Sequence, residues 1–537
     1  MGVCHKGLSV VFNIEKDMRV VARVNTVAFQ GIEVRPVDVQ VQLSNGLPTF
    51  NIVGLPDKAV AESKERVRAA LHALGLSLPP KRLTVNMAPA DLSKEGSHFD
   101  LPIALGVLGA MGVLPKEELA EYVVLGELSL DAGIRAVSGV LPAAMHAAGG
   151  KHHLICPKDC GEEAAWAGDV DILAPADLLQ LINHIKGSQV LAAPKVDMAN
   201  DNRPTYLTDL AHVKGQETAK RALEIAAAGG HNMLMVGPPG SGKSMLASCV
   251  PGILPPLSPK EALELSMIHS IAGILPEGGL VRTRPFRSPH HSASQPALIG
   301  GGQKARPGEI SLAHHGVLFL DELPEFARAT LESLRQPLES GETLVARANA
   351  HVCYPAQFQL IAAMNPCRCG HLGDADRACT RAPRCAVDYQ SKISGPLMDR
   401  IDIHVDVPPV SITDLQSDTE AAESSAKVAE RVEKARELQK HRFERMNEKV
   451  DSSKMAESGE NYINARLSGK TLEYVTQMEE DAREMLARSV DQYKLSARGY
   501  YRILRVARTI SDLNGGAEIL CKADIAEALS YRLMSLA

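Results

Sequence analysis

Hydrophobic and polar residues follow two different periods along this chain. Residues Val37–Val41 read VDVQV, the alternation of a half-buried strand, whereas residues 59–74 place apolar side chains at helical spacing. Uninterrupted apolar runs occur at 233–236, within 316–322 and within 358–365, as expected for parallel strands that are buried on both faces. The alternation of strand and helix patterns predicts an α/β fold.

Length and local composition divide the chain into parts. With 537 residues it is too long for one core and should hold roughly three domains of 100–200 residues. One stretch is polar and contains prolines, as a linker does, and the last quarter of the chain has only helical patterns. The predicted parts are a possible N-terminal extension (1–18), an α+β domain (19–186), a linker (187–208), an α/β domain (209–410) and a helical C-terminal domain (411–537).

A glycine-rich segment, GPPGSGKS, follows the first apolar run of the second domain and leads into a helical pattern. In such a loop, backbone N–H groups close around a phosphate, Lys243 supplies a cation for the β- and γ-phosphates, and Ser244 offers a hydroxyl to Mg²⁺. The positive end of the following helix attracts the same anion. A nucleotide site, with ATP as the expected ligand, is therefore predicted at Gly237, Pro238, Pro239, Gly240, Ser241, Gly242, Lys243 and Ser244.

Polar side chains end the next two apolar runs. Asp321 and Glu322 directly follow VLFL, and Asn365 directly follows LIAAM. At the carboxyl edge of a parallel sheet, Asp321 can hold Mg²⁺ together with Ser244, and Glu322 can orient or deprotonate the attacking water. An acidic helix cap would explain one carboxylate but explains two less well. By itself, an Asn before a proline is usually a turn residue.

Composition and charge narrow the function classes. The chain is 45% hydrophobic and 23% charged, the values of an ordinary globular protein. It has 58 basic and 64 acidic residues, so any nucleic-acid surface has to be local. No apolar run of about 18 residues occurs, and the first residues lack a signal-peptide core. We therefore expect a cytoplasmic protein without membrane contact.

Four of the ten cysteines fall within residues 367–385. In a cytoplasmic chain they are not expected to form a disulfide framework. Four thiolates can close a tetrahedral structural Zn²⁺ site, and His371 could replace one of them. The Cys-x-Cys start strains simultaneous ligation, so reduced free thiols are the alternative. The candidate zinc ligands are Cys367, Cys369, Cys379 and Cys385.

Four further segments of the second domain have a distinctive sequence. They are 284–291 (RPFRSPHH), 300–302 (GGG), 307–314 (PGEISLAH) and 362–367 (AAMNPC). With these segments, the chain resembles the magnesium-chelatase-like AAA+ proteins of the ComM/YifB group over most of its length. The resemblance implies a hexameric, ATP-driven motor on DNA, associated with branch migration during natural transformation. It also implies that Asn365 is a sensor that hydrogen-bonds the γ-phosphate and the water.

Two arginines complete the site that the resemblance implies. Arg400, in SGPLMDRID, looks like an arginine finger for a neighbouring subunit, because a loose phosphoryl-transfer transition state needs charge from outside the cradle. Arg498, in SARG, looks like the sensor arginine of a helical lid. A finger that acts on a neighbour requires a homo-oligomer, hexameric in this family. As isolated residues, both arginines would more often be surface ion-pair residues.

The first domain resembles the Lon-type protease fold at 93–104, 125–130 and 137–142. On that pattern the serine nucleophile position falls on His98 and the lysine position falls near Leu141. The resemblance therefore implies a Lon-like fold without proteolysis, because neither residue can serve in a Ser/Lys dyad. A related recombination protein uses such a domain for assembly and DNA handling. Accordingly, His98 and Lys94 are interpreted as either DNA contacts or residues of a solvated loop.

A second candidate DNA surface precedes the strand that ends at Asn365. Residues 341–351 resemble the pre-sensor hairpin of this AAA+ branch, whose tip points into the pore of the ring. A motor that tracks single-stranded or branched DNA reads the backbone, so cations are the expected contacts. The candidates are Arg347, Lys304, Arg306 and His351.

Three functions follow from these observations. The favoured one is a ring-forming, ATP-hydrolysing DNA motor, a helicase or branch-migration enzyme, that acts in recombination during natural transformation. The second is the ATPase subunit of a magnesium chelatase, which would not be expected to carry the first domain. The third is a protein unfoldase or Lon-like machine, against which the missing dyad argues.

Overall fold

A computed structural model describes residues 21–55, 57–92, 94–195, 208–276, 279–302, 305–347, 350–370, 372, 379, 381–411, 423–449 and 462–532. The chain forms two compact units. The first comprises residues 1–199 together with 273–279, and the second comprises 200–272 and 280–537. The two units are described one after the other.

The first unit is an α/β structure. Its strands are Ala22–Gln30 (β1), Glu33–Ser44 (β2), Thr49–Val53 (β3), Arg82–Ala88 (β4), Tyr122–Val124 (β5), Glu127–Leu128 (β6), Ile134–Arg135 (β7), His153–Ile155 (β8) and Ile172–Leu173 (β9). Its helices are Asp57–Ala73 (α1), Asp100–Ala110 (α2), Lys116–Leu119 (α3), Val140–Gly150 (α4), Gly161–Ala165 (α5) and Leu178–Ile185 (α6), with short 3₁₀ turns at Ser97–Phe99 and Lys158–Cys160.

A seven-stranded mixed sheet organises this unit, in the order β3-β4-β2-β1-β5-β8-β9. Strand β2 is antiparallel to both β1 and β4, and the other neighbouring strands run parallel. The side chains of Val37, Val39 and Val41 are buried on one face of β2, which confirms the predicted alternation. Helix α2 packs close to this face because Gly106 has no side chain, and a Cβ there would lie 2.5 Å from Cγ2 of Val41.

The two residues interpreted as DNA contacts or as parts of a solvated loop in the first unit, Lys94 and His98, are instead buried. The His98 ring is 7% exposed, lies 3.0 Å from the Val27 carbonyl oxygen through Nε2, and packs against Phe99. The Lys94 ammonium donates hydrogen bonds to the carbonyl oxygens of Pro89 and Leu92, and burial lowers its pKa. Both interpretations of these residues are therefore wrong, because the loop carbonyls and the core enclose both side chains.

Residues 273–279 lie in the first unit although the chain around them belongs to the second. Gly279 packs so closely on the first unit that a Cβ there would lie 2.7 Å from Cα of Glu163. Its left-handed backbone, with φ of +75°, also favours glycine. The first unit is thus not a single continuous stretch of chain.

The second unit combines a parallel sheet with a helical C-terminal part. Its strands are Met233–Val236 (β10), Phe286–Arg287 (β11), Gly300–Gly301 (β12), Arg306–Pro307 (β13), Val317–Leu320 (β14), Glu342–Arg347 (β15), Ala350–Pro355 (β16), Gln359–Met364 (β17) and Ile403–Asp406 (β18). Short 3₁₀ turns occur at Leu210–His212, Leu323–Glu325 and Asn464–Arg466.

The helices of this unit flank the sheet and then continue alone. They are Glu217–Gly229 (α7), Lys243–Ile253 (α8), Pro259–Ala272 (α9), Gln295–Ile299 (α10), Glu309–Leu312 (α11), Arg328–Ser333 (α12), Pro337–Ser340 (α13), Arg384–Gln390 (α14), Gly395–Met398 (α15), Ser425–Lys449 (α16), Gly469–Val475 (α17), Glu480–Tyr493 (α18), Ala497–Leu513 (α19) and Lys522–Ser530 (α20). Within the described ranges, no helix combines the length and the apolar character needed to cross a bilayer.

The parallel sheet has the strand order β11-β14-β17-β10-β18. All residues of β10, β14 and β17 are buried, which confirms that the three apolar runs are central strands. Since β17 lies between β14 and β10, the residues that follow these three strands meet at one edge of the sheet. The predicted nucleotide-binding segment and the polar residues that end the other two runs all lie at this edge.

Candidate nucleotide site

The glycine-rich segment forms the loop between β10 and α8. The Gly237 N–H donates to the Met364 carbonyl oxygen (3.2 Å), which ties the loop to β17. A Cβ on Gly237 would lie 2.1 Å from the Val407 carbonyl oxygen, so no side chain fits there. Gly242 precedes α8 with φ of +91°, a backbone conformation that L side chains rarely adopt. The sheet and the helix together require glycine at both positions.

The Lys243 side chain lies inside the curl of this loop. Its Nζ donates to the carbonyl oxygens of Gly237 (2.9 Å) and Pro238 (2.8 Å) and lies 3.4 Å from Oδ1 of Asn365. Burial lowers the pKa of the ammonium, and the nearby Asp321 carboxylate partly opposes this shift. The structure therefore brings the predicted phosphate-binding cation and the predicted sensor amide together.

The two predicted Mg²⁺ ligands are adjacent. Ser244 Oγ donates to Oδ2 of Asp321 (2.8 Å), and Oδ1 of the same carboxylate accepts the Glu322 N–H (2.9 Å). A hydroxyl and a carboxylate are the hard oxygen donors that Mg²⁺ prefers. These residues therefore fit a Mg²⁺ ion bound together with nucleotide phosphates.

Glu322 is held by a residue to which the sequence motifs assign no role. The backbone of Glu322 is left-handed, with φ of 51°, and this conformation is strained for a residue other than glycine. His291 Nδ1 lies 3.1 Å from Oε2 of Glu322, and its ring packs on His290 and on the edge of Phe326. His291 is the last residue of the RPFRSPHH segment. The presence of an imidazole at this position is the signal from which the sequence could have indicated a contact with Glu322.

Gln216 is a second residue that the sequence does not reveal. Its Nε2 donates to the carbonyl oxygens of Ser241 (3.3 Å) and Pro408 (2.5 Å), and its own φ is +62°. The side chain thus joins the nucleotide-binding loop to the segment after β18. Nothing in the local pattern around Gln216 indicates so distant a partner.

The two candidate arginines both approach the carboxylate of Glu339. Arg400 is 8% exposed, forms an ion pair with Glu339 and donates to the Pro396 carbonyl oxygen (2.8 Å). Arg498 has a 61% exposed side chain and lies 4.0 Å from the same carboxylate. Neither arginine is among the described hydrogen-bond partners of Lys243, which lie in its own loop and at Asn365. Arg400 and Glu339 line a cleft of about 610 Å³.

The candidate DNA contacts are described only in part. Strands β15 and β16 form an antiparallel hairpin, in which Arg347 pairs with Ala350 and His351 with Ala346. The side chains of Arg347 and His351 lie outside what the structure describes, as does Lys304. Arg306 is exposed on β13. The hairpin is present, whereas its contacts with DNA stay a prediction.

The four predicted zinc ligands are close together. The Sγ atoms of Cys367, Cys369, Cys379 and Cys385 all lie within 4.8 Å of one another. Those of Cys367 and Cys369 are 3.1 Å apart. A tetrahedral site with Zn–S bonds of about 2.3 Å has sulfur atoms about 3.8 Å apart, so this donor set fits one Zn²⁺ ion. His371, the alternative ligand, lies outside the described residues.

A second group of metal-ligand types, Glu264, His314 and His315, does not fit a metal. Nδ1 of His314 accepts the Gln357 N–H (3.1 Å), so the neutral ring carries its proton on Nε2. This nitrogen faces the Glu264 carboxylate at 3.7 Å and has no lone pair for an ion. The group is a buried imidazole–carboxylate cluster, and it lowers the pKa of Glu264 to about 2 through His314 and His315.

Comparison with known proteins places this site in a family. The family model "Subunit ChlI of Mg-chelatase" matches residues 39–160, "Magnesium chelatase, subunit ChlI" matches 209–415, and "Magnesium chelatase, subunit ChlI C-terminal" matches 422–532. Competence protein ComM of Haemophilus influenzae is 43% identical over 512 residues, which cover 94% of this chain and 96% of that protein. The chain belongs to the ComM/YifB family.

Identity and coverage are much higher for another YifB protein than for a magnesium-chelatase subunit. Uncharacterized protein YifB of Escherichia coli is 42% identical over 95% of this chain and 96% of that protein. The magnesium-chelatase 38 kDa subunit of Rhodobacter capsulatus is 28% identical over 171 residues, which cover 29% of this chain and 49% of that protein. The chain is thus a magnesium-chelatase-like AAA ATPase of the ComM/YifB family, with a cysteine cluster and a helical C-terminal part.

Proposed function

We propose that this ComM/YifB-family protein is a ring-forming DNA motor that uses ATP and Mg²⁺ for helicase or branch-migration work during natural transformation. The observation that carries the ATPase part is the meeting of Lys243, Ser244, Asp321, Glu322 and Asn365 at one edge of the parallel sheet. The DNA part is supported by similarity to a competence protein over nearly the full length of both chains.

The proposed roles of the site residues follow from their positions. The loop 237–244 binds the phosphates through its N–H groups and Lys243. Ser244 and Asp321 hold Mg²⁺, which neutralises charge that develops on the phosphates. Glu322 accepts a proton from the attacking water, and the amide of Asn365 orients that water against the γ-phosphate.

The proposed assembly is a homo-oligomeric ring, hexameric as the family resemblance implies. Arg400 lines a cleft whose described lining includes no residue of its own nucleotide-binding loop, which suits a residue that acts on a neighbouring subunit. Glu339 keeps its guanidinium oriented within that cleft, and hydrogen bonding to Arg400 lowers the pKa of Glu339. Arg498 at the start of α19 is the proposed lid sensor.

Three further roles are proposed for the remaining elements. The first unit has a Lon-like fold in which a core leucine, Leu141, stands near the lysine position and the buried His98 stands at the nucleophile position. It serves assembly and DNA handling instead of proteolysis. The β15–β16 hairpin contacts the DNA backbone in the pore, with Arg347 as the main cation. The four cysteines bind one structural Zn²⁺ ion.

The test is ATP hydrolysis by the purified full-length protein with and without single-stranded and forked DNA. Wild-type protein should hydrolyse ATP faster with DNA than without it. Glu322→Gln should abolish ATP turnover both with and without DNA, because the amide cannot accept a proton from the attacking water. Glu325→Gln is the matched control, since Glu325 lies three residues away and pairs with Lys392 at the surface. Turnover that depends on Glu322 but ignores every DNA would overturn the DNA motor and retain the ATPase.

A second candidate is the ATPase subunit of a magnesium chelatase. The three matching family models, all named after magnesium chelatase, favour it. The weak and partial match to a chelatase subunit counts against it. Turnover that responds to a porphyrin and not to DNA would select this function.

A further inference from the structure

The first two cysteines of the cluster, Cys367 and Cys369, closely follow the proposed sensor Asn365 in the chain. Strand β17 ends at Met364, and Asn365 and Pro366 then lead into the turn Cys367–Gly370. The Gly370 N–H closes this turn on the Cys367 carbonyl oxygen (2.9 Å), and Cys367 is fully buried. Any ion held by these thiolates is thus two residues from the amide that would orient the attacking water.

This turn also contacts the nucleotide-binding loop. Gly370 has a φ of +81°, and a Cβ there would lie 2.4 Å from Cδ and 2.8 Å from Cγ of Pro239. The Gly370 backbone therefore packs against the Pro239 ring, although the two residues lie far apart in the sequence. Only glycine allows this approach, because both the φ value and the space exclude a side chain.

Helix α14 reaches the sensor from the other side. Cys385 lies in its first turn, and at its other end Gln390 Nε2 donates to the Pro366 carbonyl oxygen (2.9 Å). The buried Tyr389 hydroxyl hydrogen-bonds the Asn365 backbone, and burial raises the pKa of this phenol to about 12. One rigid helix thus connects a zinc ligand to the backbone of the sensor.

We propose that the zinc site is a brace for ATP binding and turnover, in addition to any contribution to the folding of its own segment. A Zn²⁺ ion bound by the four cysteines joins the Cys367–Gly370 turn to α14, and these two elements enclose Asn365 and support Pro239. Loss of the ion releases both supports, so Asn365 and the nucleotide-binding loop shift together. A shift of about 1 Å in such a site can lower turnover by about 100-fold. The inference rests on the zinc ligation proposed above.

The experiment uses two variants, one that removes a zinc ligand and one that disturbs the contact between the cysteine turn and the nucleotide-binding loop. Cys379→Ser removes one of the four proposed zinc ligands, whereas Gly370→Ala retains all four thiolates but adds a Cβ that would clash with Pro239. Cys353→Ser, an exposed cysteine outside the cluster, is the matched control. For each full-length protein, zinc is measured by mass spectrometry, folding by circular dichroism, and affinity with a fluorescent non-hydrolysable ATP analogue, without DNA.

We expect one zinc per chain in wild type, in Cys353→Ser and in Gly370→Ala, and less than one in Cys379→Ser. Both Cys379→Ser and Gly370→Ala should bind the analogue several-fold more weakly than wild-type protein does. Wild-type protein from which a chelator has removed zinc should also lose affinity, and added Zn²⁺ should restore it. Wild-type protein without zinc would overturn the zinc site while leaving the ATPase intact. Unchanged affinity in Gly370→Ala, or in zinc-free folded Cys379→Ser, would overturn the brace. If Cys379→Ser does not fold, Gly370→Ala and chelation decide the question.

Discussion

At the scale of single residues, the proposed catalytic base depends on a partner from another part of the chain. His291 Nδ1 and Glu322 Oε2 are 3.1 Å apart, so the imidazole engages one oxygen of this carboxylate and leaves Oε1 for the water in the proposed mechanism. Both side chains are partly exposed, with 36% of His291 and 51% of Glu322 accessible. This contact predicts that His291 is a positioning residue for Glu322.

His291→Ala should lower the rate of ATP hydrolysis about tenfold and leave nucleotide affinity unchanged, because it frees the Glu322 carboxylate without touching the phosphate cradle. His291→Asn should recover most of the rate, since its amide N–H can replace Nδ1–H. Steady-state turnover and binding of a non-hydrolysable analogue measure the two effects. His441→Ala is the control, because His441 forms an exposed imidazole–carboxylate pair with Glu444 on α16 and not with Glu322. Equal rates in His291→Ala and wild type would remove the positioning role.

At the scale of elements, the helical C-terminal part is held together by buried charge. Asp512 of α19 is fully buried and accepts from Arg508 of the same helix (2.9 Å) and from Arg442 of α16 (2.7 Å). The Asn464 amide also donates to this carboxylate (2.8 Å). A single side chain thus connects α16, α19 and the turn before α17.

Asp512→Ala should destabilise the protein by about 3–5 kcal/mol, because it leaves the buried Arg508 and the partly buried Arg442 without their counter-charge. Urea unfolding, followed by circular dichroism, measures the change. Glu484→Ala breaks an exposed pair with Arg488 on α18 and should cost less than about 1 kcal/mol. Similar urea midpoints for Asp512→Ala and Glu484→Ala would show that the buried network contributes little to the free energy of unfolding.

At the scale of the whole molecule, buried imidazoles predict loss of stability in acid. Burial lowers the pKa of His314 to about 4 and that of His404 to about 3, with Arg532 contributing at His404. The folded state therefore favours the neutral rings, so this contribution is complete above the unfolded pKa of about 6.5 and is lost as pH falls toward the folded values. Glu264, with a pKa of about 2, adds a loss that begins below its unfolded value of about 4.3.

Melting temperature should accordingly fall steadily from about pH 6.5 to about pH 4. Differential scanning fluorimetry at constant ionic strength measures this slope. His404→Gln should flatten the slope in the acidic range, since a group that must stay neutral has been removed. A melting temperature that does not change over this range would contradict the linkage.

The proposed ring predicts complementation between two inactive subunits. Arg400→Ala should lose about 1,000-fold in turnover while it retains nucleotide binding, as an arginine finger would. Mixed with Glu322→Gln subunits, it should regain part of the activity, because some interfaces then combine an intact Glu322 with an intact Arg400 from the neighbour. Turnover of mixed and unmixed proteins at equal total concentration is the measurement. Mixtures as inactive as their components would place both residues in one subunit's site or exclude the ring.

Local sequence determined the central strands and the nucleotide-binding loop. The four apolar residues in a row at β10 and β14 and the glycine-rich segment between β10 and α8 can be read from neighbours along the chain, although the space at Gly237 is limited by the distant Val407. For the same reason, the apolar run that Asp321 and Glu322 follow is enough to place both carboxylates at the carboxyl end of β14. Helical periodicity likewise predicted the C-terminal helices.

Only the tertiary structure decided which distant residues meet. It buries Lys94, whose local sequence favours a DNA contact or a solvated loop, and it brings His291 to Glu322 and Gly370 to Pro239. It also gathers four cysteines whose short first spacing argues against joint ligation. Periodicity reports which face of an element is buried, whereas partners and ligand geometry depend on how separate elements pack, and no local pattern encodes that packing.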